Sequence, residues 1–257
     1  MGHSVFEVVD PARDERTLPV DVGYPVDEEN AVGELSLYDF ISSLTGVHFE
    51  LSFDDAQPSE TLGFPLVVYS HGSGGPGIEA GTLMESLANH GFVVAAPKHL
   101  GDSQDTLGAS EEDPGRNRPL DVFLVIDRLL ERNLDPVDPL YLRINPNRIG
   151  VAGYSFGGWT ATGMPSGHSE PGIGTNVPSD PRVRAIASVA RGANYQSPDE
   201  ELAAISFPLL LMGRMLDTGA PIDPNTTRPW DLTAGRPIYR ADAMNANHGP
   251  SSLVVVP

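Results

Sequence analysis

Gly153-Tyr154-Ser155-Phe156-Gly157 sets a serine between two glycines in the pattern G-x-S-x-G. That spacing suits a serine at the tip of a tight strand-to-helix turn, where the backbone is strained and often has φ > 0. The chain doubles back there, so side chains two residues to either side would collide. Glycine meets the need at both places. Such a turn presents the Ser155 hydroxyl to a base. It also sets the Phe156 N–H at a helix start, where developing negative charge is favoured. The chemistry this predicts is nucleophilic acyl transfer.

A hydroxyl attacks well only with a base in hydrogen-bond reach, and the base needs a carboxylate to fix its tautomer. On a doubly wound sheet these follow the serine in the order acid, then histidine. Two of the seven histidines, His168 and His248, come after Ser155. No strand-ending acid separates His168 from the serine, so His248 is the candidate base. Asp217 follows the apolar run 208–216 (PLLLMGRML), and ligand chemistry collects at the carboxyl ends of such strands. It is the candidate acid, with Asp223 as its competitor.

The developing oxyanion needs donors. The apolar run Phe64–Ser70 leads directly into His71-Gly72-Ser73-Gly74-Gly75, whose small residues let backbone approach a reacting carbonyl. Its Ser73 N–H would act beside that of Phe156. Gly72, Gly74 and Gly77 also fit the dinucleotide fingerprint G-x-G-x-x-G. A nicotinamide site would need an acid after the next strand to hold the ribose. That place reads Ala96-Pro97-Lys98-His99, without one. His71 is expected to brace its loop. Tyr154, Trp159 and His71 are candidates for the substrate pocket, with core packing the stronger use for Trp159. No metal and no cofactor are expected.

The elements that must hold these groups follow from apolar runs and turn residues. Strands are expected at 5–9 and 18–24, paired antiparallel at an edge of an otherwise parallel sheet. Residues 25–60 read as irregular, with a short helix at 35–44. Strand Phe64–Ser70, helix 78–90 and strand 92–96 form a βαβ unit. Residues 100–118 read as a long polar loop that could wall the site. A helix is expected over 119–133, with Asp121 and Asp127 facing solvent or capping. Asn145-Pro146-Asn147 reads as a turn before the elbow strand. Further strands are expected at Val183–Val189, 208–216 and 237–241, with turns at 222–236. This is one α/β domain over 1–257, a doubly wound, mainly parallel sheet with an antiparallel N-terminal edge and no large lid.

Composition narrows the function further. Thirty-five acids against sixteen bases give a formal charge of −19, and Lys98 is the only lysine. No basic patch can be assembled, which argues strongly against nucleic acid and anionic membranes as partners. The acidic, lysine-poor surface suggests adaptation to salt. Without cysteine there is no disulfide and no thiolate nucleophile. No apolar run is long enough for a membrane span. The first residues lack a basic n-region and an apolar h-region, so no signal peptide is expected; cytoplasmic and mature secreted forms both fit. Oligomeric state is left open.

Several stretches together resemble the α/β-hydrolase superfamily. They are Val9-Asp10-Pro11-Ala12-Arg13, Gly23-Tyr24-Pro25, Phe64 to Gly75, Arg118-Pro119-Leu120-Asp121-Val122, the GYSFGG elbow, Leu216-Asp217-Thr218 and Asn247-His248. The nearest likeness is to bacterial esterases similar to platelet-activating-factor acetylhydrolase and dienelactone hydrolase, close to cutinase-like polyester hydrolases. The resemblance implies Ser155 as nucleophile, Asp217 as orienting acid, His248 as base, and Ser73 and Phe156 as oxyanion donors. It also implies cofactor-free hydrolysis of carboxylic esters, either small or polymeric. Dienelactone hydrolysis itself commonly uses a cysteine, absent here. An amidase or peptidase with the same triad, and a non-catalytic binding protein of this fold, are the alternatives. Such enzymes commonly close with a helix after the histidine, whereas only nine residues follow His248 here.

Overall fold

The computed structural model describes residues 1–40, 45–76, 79, 81–103, 113–170, 175–192, 197–235 and 237–248. It is a mostly parallel mixed sheet with helices, in two compact units. One comprises 1–69, 74–112 and 121–149; the other comprises 70–73, 113–120 and 150–257. Among the described residues, no helix is long and apolar enough to cross a membrane.

In the first unit, β1 (Gly2–Asp10) and β2 (Arg16–Tyr24) pair antiparallel from Gly2–Tyr24 to Asp10–Arg16. The turn between them is capped by Asp10, whose carboxylate accepts from the Ala12 N–H. Beyond β1 lie two strands where the sequence reads as irregular or helical: β3 (Leu35–Phe40) and β4 (Thr45–Asp54), antiparallel to each other. The outer edge is therefore β3, and β1–β2 is interior. The usual pattern is inverted here. Ser36 and Ser52 are buried and bonded to each other at 2.9 Å, while Leu35, Leu37 and Leu51 are exposed. Alternation with polar residues inside gives no apolar face to read from sequence.

β5 (Phe64–Ser70) and β6 (Val93–Pro97) are parallel, and β6 pairs antiparallel with β2. Leu18, Val20 and Val22 of β2 and Val93–Ala95 of β6 are wholly buried, so both strands sit in the core. Between β5 and β6 lies α1 (Gly81–Asn89), which buries Gly81, Met84 and Ala88 at helical spacing. The start of the expected 78–90 helix at Ile78 lies outside the described residues, as do 104–112 of the expected loop.

Helix α2 (Pro114–Arg132) begins five residues earlier than its sequence suggests. Asp113 caps it, accepting from the Arg116 N–H at 3.0 Å, and Pro114 takes the first position. Pro119, the expected start, is inside. Asp121 neither caps nor meets water. It is fully buried and accepts both Nε and Nη2 of Arg16 at 2.9 Å and Nδ1–H of His99 at 2.9 Å, with Arg13 at 2.8 Å. Burial alone would raise its pKa. The bonds from His99 and Arg16 outweigh burial and hold it at about 2. Buried His3 makes a second cluster with Asp21 at 2.9 Å and Asp54 at 3.2 Å, and Lys98 pairs with Asp21 at 3.5 Å. Burial works to lower the His3 pKa, but the two carboxylates raise it above the ordinary value.

In the second unit the strand order is β12-β11-β10-β7. β7 (Ile144–Tyr154) takes in Asn145-Pro146-Asn147, so the expected turn is instead an exposed stretch of strand. It leads through Ser155 into α3 (Phe156–Gly163), every residue of which is buried. A small antiparallel hairpin, β8 (His168–Glu170) and β9 (Thr175–Val177), follows. β10 (Val183–Val189), β11 (Leu209–Arg214) and β12 (Ile238–Ala243) are successively parallel. Between β10 and β11 lies α4 (Asp199–Ala204). The segment expected as turns, 222–236, holds two short helices, α5 (Ile222–Asn225) and α6 (Thr227–Leu232).

His168 is packed as an apolar group. Its ring lies 4.6 Å from that of Trp159, and its Nε2–H donates to the Thr160 carbonyl at 3.0 Å. Burial lowers its pKa to about 4, against a smaller opposing effect of that bond. In the unfolded chain it protonates near pH 6.5, so stability falls as pH drops from about 6.5 towards 4. Replacing it with glutamine keeps a donor for Thr160 and removes the proton. Urea unfolding should show His168→Gln gaining about 2 kcal/mol on wild type between pH 7.5 and pH 5. Equal slopes in the two proteins would contradict this.

Candidate active site

Ser155 has φ 53° and ψ −116°, a conformation unfavourable for a residue with a Cβ. The surrounding chain holds it there. Its N–H donates to the Val189 carbonyl at the end of β10, and its carbonyl accepts the Gly192 N–H at 2.7 Å. The two glycines of the motif are required by close approach. A Cβ on Gly153 would overlap the Gly157 carbonyl. One on Gly157 would lie 2.8 Å from the His71 carbonyl oxygen, and nearer still to that of Ser70. Gly157→Ala must therefore push apart α3 and the 70–73 loop. A loss of about 3 kcal/mol in urea unfolding is expected, the upper end for overpacking. Wild-type stability in that variant would mean the loop yields freely.

Ser155 Oγ–H donates to His248 Nε2 at 2.9 Å, and His248 Nδ1–H donates to Asp217 Oδ2 at 2.7 Å. These are the hydroxyl, imidazole and carboxylate singled out by sequence order. The Asp217 side chain is wholly buried, while that of His248 is one-third exposed. Asp217 lies three residues after β11, where its Oδ1 accepts the Ala220 N–H at 2.6 Å. Gly219 leaves room for the imidazole, because a Cβ there would stand 3.0 Å from His248 Cγ. Asp223, the competing acid, is exposed on α5.

His71 is buried, and its Nδ1–H donates to the Gly72 carbonyl at 2.6 Å. Ser73 is exposed at the turn that follows. Trp159 is buried, with its ring against Phe156 and His168. Tyr154 is also buried; its hydroxyl donates to the His248 carbonyl at 2.5 Å.

Two residues that sequence reasoning passes over lie beside these groups. Arg118 is fully buried and donates through Nη1 to the His71 carbonyl at 2.6 Å and through Nη2 to that of Gly72 at 3.1 Å. Arg214, also buried, donates to the Asn247 carbonyl at 3.1 Å and the Tyr154 hydroxyl at 3.4 Å. For Arg214 the one sequence signal is an arginine inside the apolar run 208–216; Arg118 ends the stretch that reads as a polar loop, where an arginine gives no signal. The first unit has a cavity of about 820 Å³ near Tyr24, Arg132 and Tyr141. It contains none of these residues, and the hydrogen-bonded serine is the better site.

A solved structure of a ferulic acid esterase from Streptomyces cinnamoneus superposes with a TM-score of 0.66 at 27% identity, covering 94% of this chain and 72% of that one. The family model for platelet-activating factor acetylhydrolase, isoform II, matches residues 40–119. The fold is that of the α/β-hydrolases. The stretch matched by the family model includes the 71–73 loop and Arg118, and ends before Ser155. An acylaminoacyl peptidase from Pyrococcus horikoshii superposes at 0.63 with 16% identity, over 98% of this chain and 38% of that one. A puromycin-hydrolysing peptidase from Mycobacterium tuberculosis does so at 0.64 with 16% identity, over 96% and 36%. The chain spans little more than a third of each peptidase, and these two likenesses concern the fold alone. No curated protein matches it by sequence.

Proposed function

We propose that the protein is a serine esterase acting on carboxylic esters of short to medium acyl chain. Ser155 is the nucleophile, His248 the base and Asp217 the orienting acid. The observation that carries this reading is the unbroken hydrogen-bond chain Ser155–His248–Asp217. Ser155 Oγ attacks the ester carbonyl carbon while its proton passes to His248 Nε2. The oxyanion is held by the Ser73 and Phe156 N–H groups. The intermediate collapses as His248 returns the proton to the departing alcohol, leaving an acyl-enzyme. Water activated by His248 then attacks the acyl carbon, releasing the acid and restoring the serine.

A preference for modest acyl chains is supported by the segment after α3, where the described residues of 164–182 supply only the β8–β9 hairpin as regular structure. The ferulic acid esterase likeness adds aromatic acyl groups to the substrates worth testing. The test is hydrolysis of p-nitrophenyl acetate, butyrate and octanoate, with methyl ferulate and p-nitrobutyranilide alongside. Turnover of the esters that declines towards octanoate is expected. Faster cleavage of the anilide than of the matching ester would make the protein an amidase, and binding without turnover would remove it from the enzymes.

A further inference from the structure

The residues on either side of Ser155 have matching surroundings. The Arg214 guanidinium stands 4.7 Å from the centre of the Tyr154 ring, and the Arg118 guanidinium 4.6 Å from that of Phe156. Each arginine also donates to backbone carbonyls of one loop: Arg214 at Asn247, Arg118 at His71 and Gly72. We propose that Arg118 and Arg214 are positioning residues that tie the 71–73 loop and the His248 loop to the two aromatic rings flanking Ser155. This rests on the reading of Ser155, Asp217 and His248 as a triad, and deepens it.

The His248 loop needs such a tie. Residues 244–248 belong to no helix or strand, yet the imidazole must stay 2.9 Å from Ser155 Oγ. Displacement of a reacting group by about 1 Å can cost roughly 10²-fold in rate. Tyr154 takes the carbonyl of His248 itself, Arg214 takes that of Asn247, and Arg214 also donates to the Tyr154 hydroxyl. The carbonyl of His248 is thus fixed by the residue adjoining the nucleophile, and that of Asn247 by the arginine bonded to the same tyrosine. Tyr154 here orients the base instead of lining a pocket.

The other tie acts through peptide geometry. In a trans peptide the carbonyl and the following N–H point in opposite directions. Arg118 draws the Gly72 carbonyl towards itself, which turns the Ser73 N–H away from the guanidinium. That N–H is the proposed oxyanion donor, and the other proposed donor belongs to Phe156, whose ring lies under the same arginine. One buried cation therefore sets both donors relative to each other. Hydrogen bonds from a charged group and a desolvated cation–ring contact are each strong enough to hold such an arrangement.

The two ties predict different kinetics. Tyr154→Phe keeps the ring under Arg214 and loses only the hydroxyl. Its kcat should fall about 10-fold with KM within about two-fold of wild type, since substrate binding is untouched. The loss should be larger for an alkyl ester than for a p-nitrophenyl ester, because a poor leaving group depends more on the proton from His248. Arg118→Lys should lower kcat roughly 10²-fold to the same degree for both esters, as expected for misaligned oxyanion donors. Should Arg118→Lys not fold, Phe156→Leu, which retains its N–H and loses the ring, tests the same tie by the same equal loss. A raised KM with unchanged kcat in Tyr154→Phe, or wild-type kinetics in the variants, overturns the proposal. Ser155→Ala assayed alongside separates the two ideas: if it is inactive, the triad stands whatever the other variants do, and if it is active, the triad itself is wrong.

Discussion

Ser155→Ala is expected to fold normally and to lose about 10⁶ in kcat on p-nitrophenyl butyrate. The loss is large because, among the described residues, no second hydroxyl shares the bond to His248 Nε2, so the acyl-enzyme route closes. What remains should be the slow hydrolysis that binding and oxyanion donors support without a nucleophile. His248→Ala should cost a similar factor, and the double variant little more than either, since the groups act as a unit. A fluorophosphonate should label wild type once and Ser155→Ala not at all. Stability supplies an independent check. Alanine retains the positive φ of the elbow, whereas Ser155→Gly relieves it and should be more stable than Ser155→Ala by about 1 kcal/mol. Retention of more than about a hundredth of wild-type kcat by Ser155→Ala would be incompatible with a serine nucleophile.

Asp217→Asn should lower kcat about 10⁴-fold with little change in KM. The geometry says why the effect should be so large for one atom. Oδ1 of Asp217 accepts the Ala220 N–H at 2.6 Å. In the asparagine variant that position selects the amide oxygen, because an NH2 group there would meet a donor. The NH2 then occupies the place of Oδ2 and donates to His248 Nδ1. This fixes the imidazole with its proton on Nε2, where it cannot accept the proton of Ser155. The same bond no longer stabilises the imidazolium formed during the reaction. Ala220→Pro would remove the N–H that sets the amide orientation, although it constrains the turn as well. A loss under about tenfold in Asp217→Asn would mean that the carboxylate does not control the tautomer.

The grouping of Ser155, Asp217 and His248 is legible in sequence because each marks a local event: a glycine-bounded turn, a strand end, and a histidine downstream of both. The strands β5 and β6 are legible for a similar reason, as continuous apolar runs between turn residues. Arg118 and Arg214 are not. Their partners are backbone carbonyls 46 and 47 residues away for Arg118 and 33 for Arg214, and carbonyls carry no sequence signal. Asp121 is misread for the opposite reason. A carboxylate on a helix normally faces water, and only the convergence of Arg13, Arg16 and His99 from elsewhere makes burial tolerable. The β3–β4 hairpin escapes because its buried positions are serines and its leucines face out. The start of α2 is missed because proline at 119 draws attention from the true cap at Asp113.

The scarcity of lysine reaches into how this protein can be handled. Lys98 offers the only side-chain amine, and it is 13% exposed and paired with Asp21. Succinimidyl dyes, aldehyde fixatives and amine-reactive resins therefore have one shielded side-chain target. The carboxylates outnumber it thirty-five to one. Attachment through carbodiimide-activated acids is the natural route to an immobilised form, and a lysine introduced on an exposed face would give a single, chosen point of attachment.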